Sequence, residues 1–339
     1  MKPQRHIIPV FVPHLGCPNE CVFCNQRRIS GSTDQASAET VIKAIAKAKT
    51  ILPSEAKAEL AFYGGSFTAI HRDRQEELLR AAFPYYADGF LSGIRISTRP
   101  DAINTETLAV LRQYGVKTIE LGAQSMNPEV LKRSKRGHST EDIVNSSKLI
   151  KSLGFQLILQ MMTGLPGDTA HRARMTAEAL ADLEPDGVRI YPTVIIKETA
   201  LQKMWETGMY DEHGVEEAAE LCTELFFIFN RRGIPVIRMG LNPTEALTGG
   251  DAIAGAYHPA FGELVYTKVF LSKARELLSS QKHGKDIVLG VHQSRVSAMA
   301  GHKRSNINIL ISEFNLSSLK IRQTETEPDN IQLITKKPE

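Results

Sequence analysis

The sequence predicts an α/β protein: a partial parallel (β/α)6 barrel of the TIM type, followed by a small basic α+β appendage. Short apolar runs alternate six times with longer amphipathic segments, the pattern of parallel strands joined by right-handed helical crossovers. Every chemically unusual stretch follows directly on one of those runs, and in such barrels the loops after the strands share one face. The alternation breaks after Tyr191, and basic residues gather towards the carboxyl end.

In chain order, strands are expected at Ile7 to Val12, Glu59 to Tyr63, Gly93 to Ser97, Lys117 to Leu121, Phe155 to Met161 and Gly187 to Tyr191, all short and rich in branched or aromatic side chains. Helical patterns separate them at Ala36 to Thr50, Asp73 to Phe83, Thr105 to Tyr114, Thr140 to Leu153 and Thr169 to Leu183. Asn104 and the Ser139-Thr140-Glu141-Asp142 stretch are start signals for the third and fourth. Pro192 to Gly208 reads as a crossing loop, Glu216 to Arg232 as a helix and Pro235 to Met239 as a short strand. Gly and Pro thicken from Leu241 to Pro259, a helix follows at Phe261 to Ser279, and Ile287 to Val291 with Asn306 to Ile311 suggest a small antiparallel unit. The expected division is a core at 1–235, an extension at 236–323 and a flexible tail at 324–339.

At 339 residues and 42% hydrophobic, the chain exceeds the roughly 250–300 residues at which one core stops growing, so one large domain plus an appendage is expected. Met1 to Arg5 imitates the start of a signal peptide, but Pro9 breaks the apolar run behind it and no cleavage site follows. No stretch reaches the roughly 18 apolar residues that span a bilayer. A cytoplasmic location with reduced thiols follows as an expectation. The net charge of +3 is unevenly spread: Thr267 to Gln323 holds ten Lys or Arg against Glu276, Asp286 and Glu313, leaving −4 for the rest. Such a run either solubilises a surface or meets a polyanion.

The stretch Gly16-Cys-Pro-Asn-Glu-Cys-Val-Phe-Cys-Asn-Gln26 places three of the four cysteines within eight positions. Cys17, Cys21 and Cys24 could ligate three irons of a four-iron cluster and leave the fourth open to a substrate or cofactor. A zinc knuckle is the competing reading, with His14 or His6 as fourth ligand; structural zinc sites usually join two paired ligand elements, and one is present here. Cys222, among Leu221, Leu225 and Phe226, reads as core.

Cys17, Cys21, Phe23 and Cys24 form C-x3-C-x-aromatic-C, and with Gly64-Gly65 after the second strand they resemble the radical S-adenosylmethionine superfamily. The resemblance implies a 4Fe-4S cluster whose open iron holds S-adenosylmethionine, reductive cleavage to a 5'-deoxyadenosyl radical, and a low-potential electron donor such as flavodoxin or ferredoxin. Tyr63-Gly-Gly-Ser-Phe-Thr68, Ile96-Ser-Thr-Arg-Pro-Asp101, Glu120-Leu-Gly-Ala-Gln-Ser125, Arg136-Gly-His138 and Gly164-Leu-Pro-Gly167 narrow it to the radical core of Elongator's catalytic subunit. Oxygen-independent coproporphyrinogen oxidase carries a weaker version of the series. The match runs well over roughly residues 5 to 195 and loosely through Ala256-Tyr-His-Pro-Ala-Phe261.

By that resemblance Gly64 and Gly65 let backbone approach the methionyl end of the ligand and Ser66 offers it a hydroxyl; the alternative is a plain strand-to-helix turn. Gln124 and Gln160 match ribose-contacting positions, Arg136 a partner of the ligand carboxylate, and Phe23 a neighbour of the adenine. Ser97 stands where relatives often carry Glu, and Phe11 where the porphyrin enzymes carry tyrosine. The 339 residues leave no room for Elongator's acetyltransferase domain, so its full chemistry is not expected. The leading expectation is a radical enzyme acting on RNA, of the tRNA class, with Arg295, His302, Lys303 and Arg304 neutralising phosphates. A radical enzyme for a small metabolite and a non-catalytic RNA-binding scaffold remain as alternatives.

Overall fold

The computed structural model describes residues 6–13, 15–17, 21–30, 36–53 and 55–334. Strands β1 (His6–Phe11), β2 (Ala58–Tyr63), β3 (Leu91–Thr98), β4 (Val116–Gln124), β5 (Gln156–Thr163) and β6 (Gly187–Pro192) pair in parallel in chain order. A short β7 (Val194–Ile196) lies outside this sheet, and β8 (Val236–Met239) adds a seventh parallel strand beside β6. The sheet curls into a half-barrel. The six expected strands are present, and the seventh is the Pro235 to Met239 segment, whose place in the barrel depends on pairing across more than forty residues of chain.

Helices α1 (Gln26–Ser30) and α2 (Ala38–Ile51) link β1 to β2, and α3 (Arg72–Ala87) links β2 to β3. Next come α4 (Thr105–Gln113), α5 (Pro128–Arg133), α6 (Thr140–Ser152) and α7 (Ala170–Ala181). The Asn104 side chain accepts from the Thr107 N–H at 2.8 Å. Ser139 accepts from the Asp142 N–H while Asp142 accepts from the Ser139 N–H, so both predicted starts satisfy backbone donors that a helix leaves open. Before β8 lie α8 (Ala200–Glu206) and α9 (Val215–Arg231). The segment expected as a loop from Pro192 to Gly208 therefore contains β7 and α8. Thr199 starts α8 by accepting from the Gln202 N–H at 3.1 Å; the helix is too short for its periodicity to stand out.

Along the strands one set of side chains, Val10, Phe62, Ile96, Leu121, Leu159 and Ile190, is buried on the side covered by helices. The alternate set, Phe11, Tyr63, Ser97, Glu120, Gln160 and Arg189, lines a cavity. Barrel interiors are usually filled with branched aliphatic residues; here Tyr63, Ser97, Glu120, Gln160 and Arg189 set polar groups into that face beside the apolar Ile7, Pro9 and Phe11 of β1.

The chain divides into two compact units, Met1–Gly214 with Phe227–Pro259, and Val215–Phe226 with Ala260–Glu339. In the first, β9 (Ala252–Gly255) pairs antiparallel with β7. The second contains α10 (Phe261–Ser280), β10 (Asp286–Val291), α11 (Val296–Ala300), α12 (Ser305–Glu313), β11 (Ser318–Gln323) and β12 (Ile331–Leu333). Two expectations are corrected there. Asn306 to Ile311 is helical, because Ile307 and Leu310, three apart, are both buried and Asn306 donates to the Thr267 and Ala298 carbonyls. The small sheet is mixed: β10 pairs parallel with β11 and antiparallel with β12, and β12 lies in the segment expected to fray. Among the described residues no helix is long and apolar enough to cross a membrane.

Candidate active site

The loop after β1 carries the cysteines and is interlocked with the loop after β2. The Ser66 N–H donates to the Leu15 carbonyl at 2.9 Å. A Cβ on Gly65 would stand 2.3 Å from the Val12 oxygen, and one on Gly16 would stand 2.2 Å from the Ser66 oxygen. Both obstacles are backbone, so only glycine permits this approach. It brings the Cys17 Sγ to 3.6 Å from the Ser66 hydroxyl.

Farther along, the Val22 N–H donates to the Ser134 carbonyl at 3.2 Å and the Val22 carbonyl accepts from Leu201 at 2.7 Å. Val22 is buried with Ile195, Leu201 and Tyr210, and Phe23 packs on that cluster while also lining the cavity. The Arg136 Nη1 donates to the Cys21 Sγ at 3.1 Å, and the Gln26 Nε2 to the Cys24 Sγ at 3.4 Å. Burial, with Cys21 close by, pushes the Cys24 thiol up to about 12. Arg28 pairs with Asp251 at 2.7 Å and with Glu198, holding α1 to the segments around β7 and β9.

At the end of β4 the pairing with β5 slips between Gly122 and Gln124, and Gln124 adopts a left-handed φ of 66°. A bulge of this kind re-aims a side chain at the cost of local strain. The Gln124 Oε1 is buried without a hydrogen-bond partner, in a side chain that lines the cavity. Arg136 also donates to the Gly122 carbonyl at 2.7 Å, and its own carbonyl accepts from Arg99 at 2.9 Å. The arginine therefore ties the third and fourth loops to the cysteine loop. His138 is buried, its Nε2 3.3 Å from the Ala123 carbonyl; burial and then the Arg136 charge push it down to about 4.

Below these loops the interior is a charged network that sequence reasoning missed. Glu120 is fully buried; its carboxylate accepts from Arg95 at 2.6 Å, Arg189 at 2.9 Å and Gln160 at 3.0 Å. Arg95 also pairs with Glu59 at 2.8 Å. Burial opposes the Arg189 charge, but Tyr191, Glu120 and Tyr63 outweigh it and raise its pKa. Burial, aided by Glu120, raises the Tyr63 phenol and keeps it protonated.

The cavity measures about 1510 Å3 and is lined by Cys17, Cys21, Phe23, Cys24, Gly64, Gly65, Ser66, Gln124, Arg136 and Gln160. All ten residues expected at the metal or cofactor thus meet in one space. Ser97 lines it too, its hydroxyl buried without a partner. Among the described residues no three His, Cys, Asp or Glu side chains form a single-ion site; thiols on separate corners of a cluster need not converge in that way. His14 lies outside the described residues. The donor set suits a group that binds thiolates at one end and donates hydrogen bonds to a buried amide oxygen at the other. Cys222 is fully buried in α9.

Arg295, His302, Lys303 and Arg304 belong to the second unit. Arg295 stacks on Tyr266, 3.4 Å from the ring centroid, and pairs with Asp329 at 3.1 Å, commitments that reduce its availability to a phosphate. His302, Lys303 and Arg304 are exposed, the last two at left-handed φ values of 49° and 64°.

A family model described as Radical SAM superfamily matches residues 11–180, and one described as Radical_SAM C-terminal domain matches residues 185–269. The tRNA uridine(34) acetyltransferase of Methanocaldococcus infernus is 35% identical over 131 residues, covering 38% of this chain and 24% of that protein. An uncharacterized protein of Methanocaldococcus jannaschii is 31% identical over 214 residues, 60% of this chain and 65% of that one. Elongator complex protein 3 of Homo sapiens is 28% identical over 189 residues, 50% of this chain and 35% of that one. The matches therefore span between 24% and 65% of these relatives' own lengths. Among solved structures, Methanocaldococcus infernus Elp3 with its N-terminus deleted superposes with a TM-score of 0.62 at 24% identity, covering 79% of this chain and 63% of that one. Coproporphyrinogen III oxidase from Escherichia coli gives 0.52 at 18% identity over 68% and 53%. Both share the fold.

Proposed function

The chain belongs to the radical S-adenosylmethionine superfamily, and from that premise we propose that this enzyme modifies tRNA. Family members bind a 4Fe-4S cluster and S-adenosylmethionine. Cys17, Cys21 and Cys24 would hold three irons. When bound, the two groups supply a one-electron reductive split of a carbon–sulfur bond. Gln124 would accept a hydrogen bond from a ribose hydroxyl, which answers its unpartnered Oε1. Gly64, Gly65 and Ser66 would receive the methionyl end, Gln160 would stand by the ribose and Phe23 by the adenine. Arg136 would hold the ligand carboxylate in addition to steadying Cys21. Burial and Glu120 keep the Tyr63 phenol protonated, and Tyr191, Glu120 and Tyr63 keep Arg189 charged. Flavodoxin or ferredoxin is the class of electron donor, and His302, Lys303 and Arg304 would meet RNA phosphates.

The observation that carries the tRNA reading is the 35% identity over 131 residues to a tRNA uridine(34) acetyltransferase. The acetyl chemistry in that relative's name is not carried over. Mass profiling of tRNA nucleosides from a deletion strain tests the reading, alongside anaerobic reconstitution scored by 5'-deoxyadenosine release. A nucleoside that disappears on deletion is expected. An unchanged profile with 5'-deoxyadenosine still formed would move the assignment to a small metabolite, and loss of both signals would leave a binding protein.

A further inference from the structure

The two end strands of the seven-stranded sheet, β1 and β8, give the cavity unlike walls. On β1 the cavity residues are Ile7, Pro9 and Phe11, with Ile7 42% exposed; an apolar face left open to solvent suits an uncharged ring. On β8 the cavity residue is Arg238, register neighbour of Arg189 on β6.

The two arginines differ in what answers them. Arg189 is held by Glu120 and Arg95 by Glu59 and Glu120. At the rim Arg28 is answered by Glu198 and Asp251 and Arg99 by Asp101, while Arg27 and Lys135 also line the cavity but are exposed to water. Arg238 is half-buried and makes no hydrogen bond or ion pair among the described residues. The interior thus has three guanidiniums for two carboxylates, and the unanswered one faces the cavity. A guanidinium partly withdrawn from water is a fork-shaped receptor for a phosphate or carboxylate.

We infer that Arg238 receives an anionic group of the substrate while the β1 wall receives an uncharged ring, so that the occupant is a nucleotide with its base towards Pro9 and Phe11 and its phosphate on Arg238. The nucleotide rests on the tRNA reading; the anion contact rests on Arg238 alone. Specificity would come from the pairing of the two walls, since neither a bare anion nor an uncharged nucleoside would satisfy both.

Equilibrium dialysis of the full chain with uridine 5'-monophosphate and with uridine tests this. The monophosphate should bind about tenfold more tightly, as one charge-assisted pair allows, and inorganic phosphate should displace it but not uridine. Arg238→Gln should erase the preference and Arg238→Lys retain part of it, with urea midpoints showing that both variants fold. Equal affinities in the unaltered protein, or an undiminished preference in Arg238→Gln, would overturn the assignment. A tRNA transcript separates the two readings. No transcript binding with the monophosphate preference intact removes tRNA and leaves Arg238 assigned. Transcript binding whose affinity and salt slope Arg238→Gln leaves unaltered, where a loss of about one in slope is expected, removes Arg238 and leaves tRNA.

Discussion

Glu120 on β4 and Arg189 on β6 meet at 2.9 Å inside the sheet although β5 lies between their strands. The same carboxylate oxygen accepts from Arg95 on β3 at 2.6 Å and its other oxygen from Gln160 on β5 at 3.0 Å, so one buried anion joins four strands. Glu120→Ala leaves two guanidiniums short of a partner and should cost about 3–5 kcal/mol of stability. Glu120→Gln, which keeps an acceptor oxygen, should cost less. Urea unfolding measures both, and an unmoved midpoint in the alanine variant would show that the network does not hold the strands.

Gly65→Ala pushes a methyl group against the Val12 and Leu15 carbonyls. The cysteine loop must shift, and iron uptake on anaerobic reconstitution should fall by more than half. Gly89→Ala is the control: its φ is 82° but nothing lies within 4 Å of the added carbon, so a loss of about 1 kcal/mol with full iron uptake is expected. Equal iron content in the two variants would mean that the interlocked loops do not position the thiols.

Alanine at Cys17, Cys21 or Cys24, each tested singly, should abolish iron incorporation. Cys222→Ser should retain it while losing about 1–3 kcal/mol, because it buries a hydroxyl in place of a thiol at a fully enclosed position. Iron lost equally in the serine variant would overturn the ligand assignment.

His138 gives a pH dependence whose sign is fixed. Its pKa falls from 6.5 unfolded to about 4 folded, so between those values the unfolded chain binds more protons. Its contribution is therefore fully present above pH 6.5 and declines as pH falls towards 4, by about 3 kcal/mol in all. Urea midpoints between pH 4 and 7 should lose much of that slope in His138→Gln. A slope identical to that of the unaltered protein would assign the acid sensitivity to other groups.

The strands were legible because each is a short branched run, and the cysteines because residue type and close spacing together carry their chemistry. The facing of the strands was harder. Glu120 sits between Ile119 and Leu121, and a charge in such alternation ordinarily points to water; here the apolar neighbours go under the helices and the charge turns inward. Gln124 was legible through resemblance, whereas its strained backbone follows from a register slip with β5 that sequence periodicity does not encode. Arg238 was silent for a different reason: its meaning lies in having no partner, and partners are settled only once β6 and β8 are side by side.

Among the described residues the sheet stops at seven strands. An eight-stranded cylinder closes so tightly that its own side chains plug the bore. Leaving the seam between the first and last staves unsewn relaxes that diameter, and ions and solvent can occupy what would otherwise be grease. The omitted stave leaves a lined cavity where a closed barrel would have a packed core.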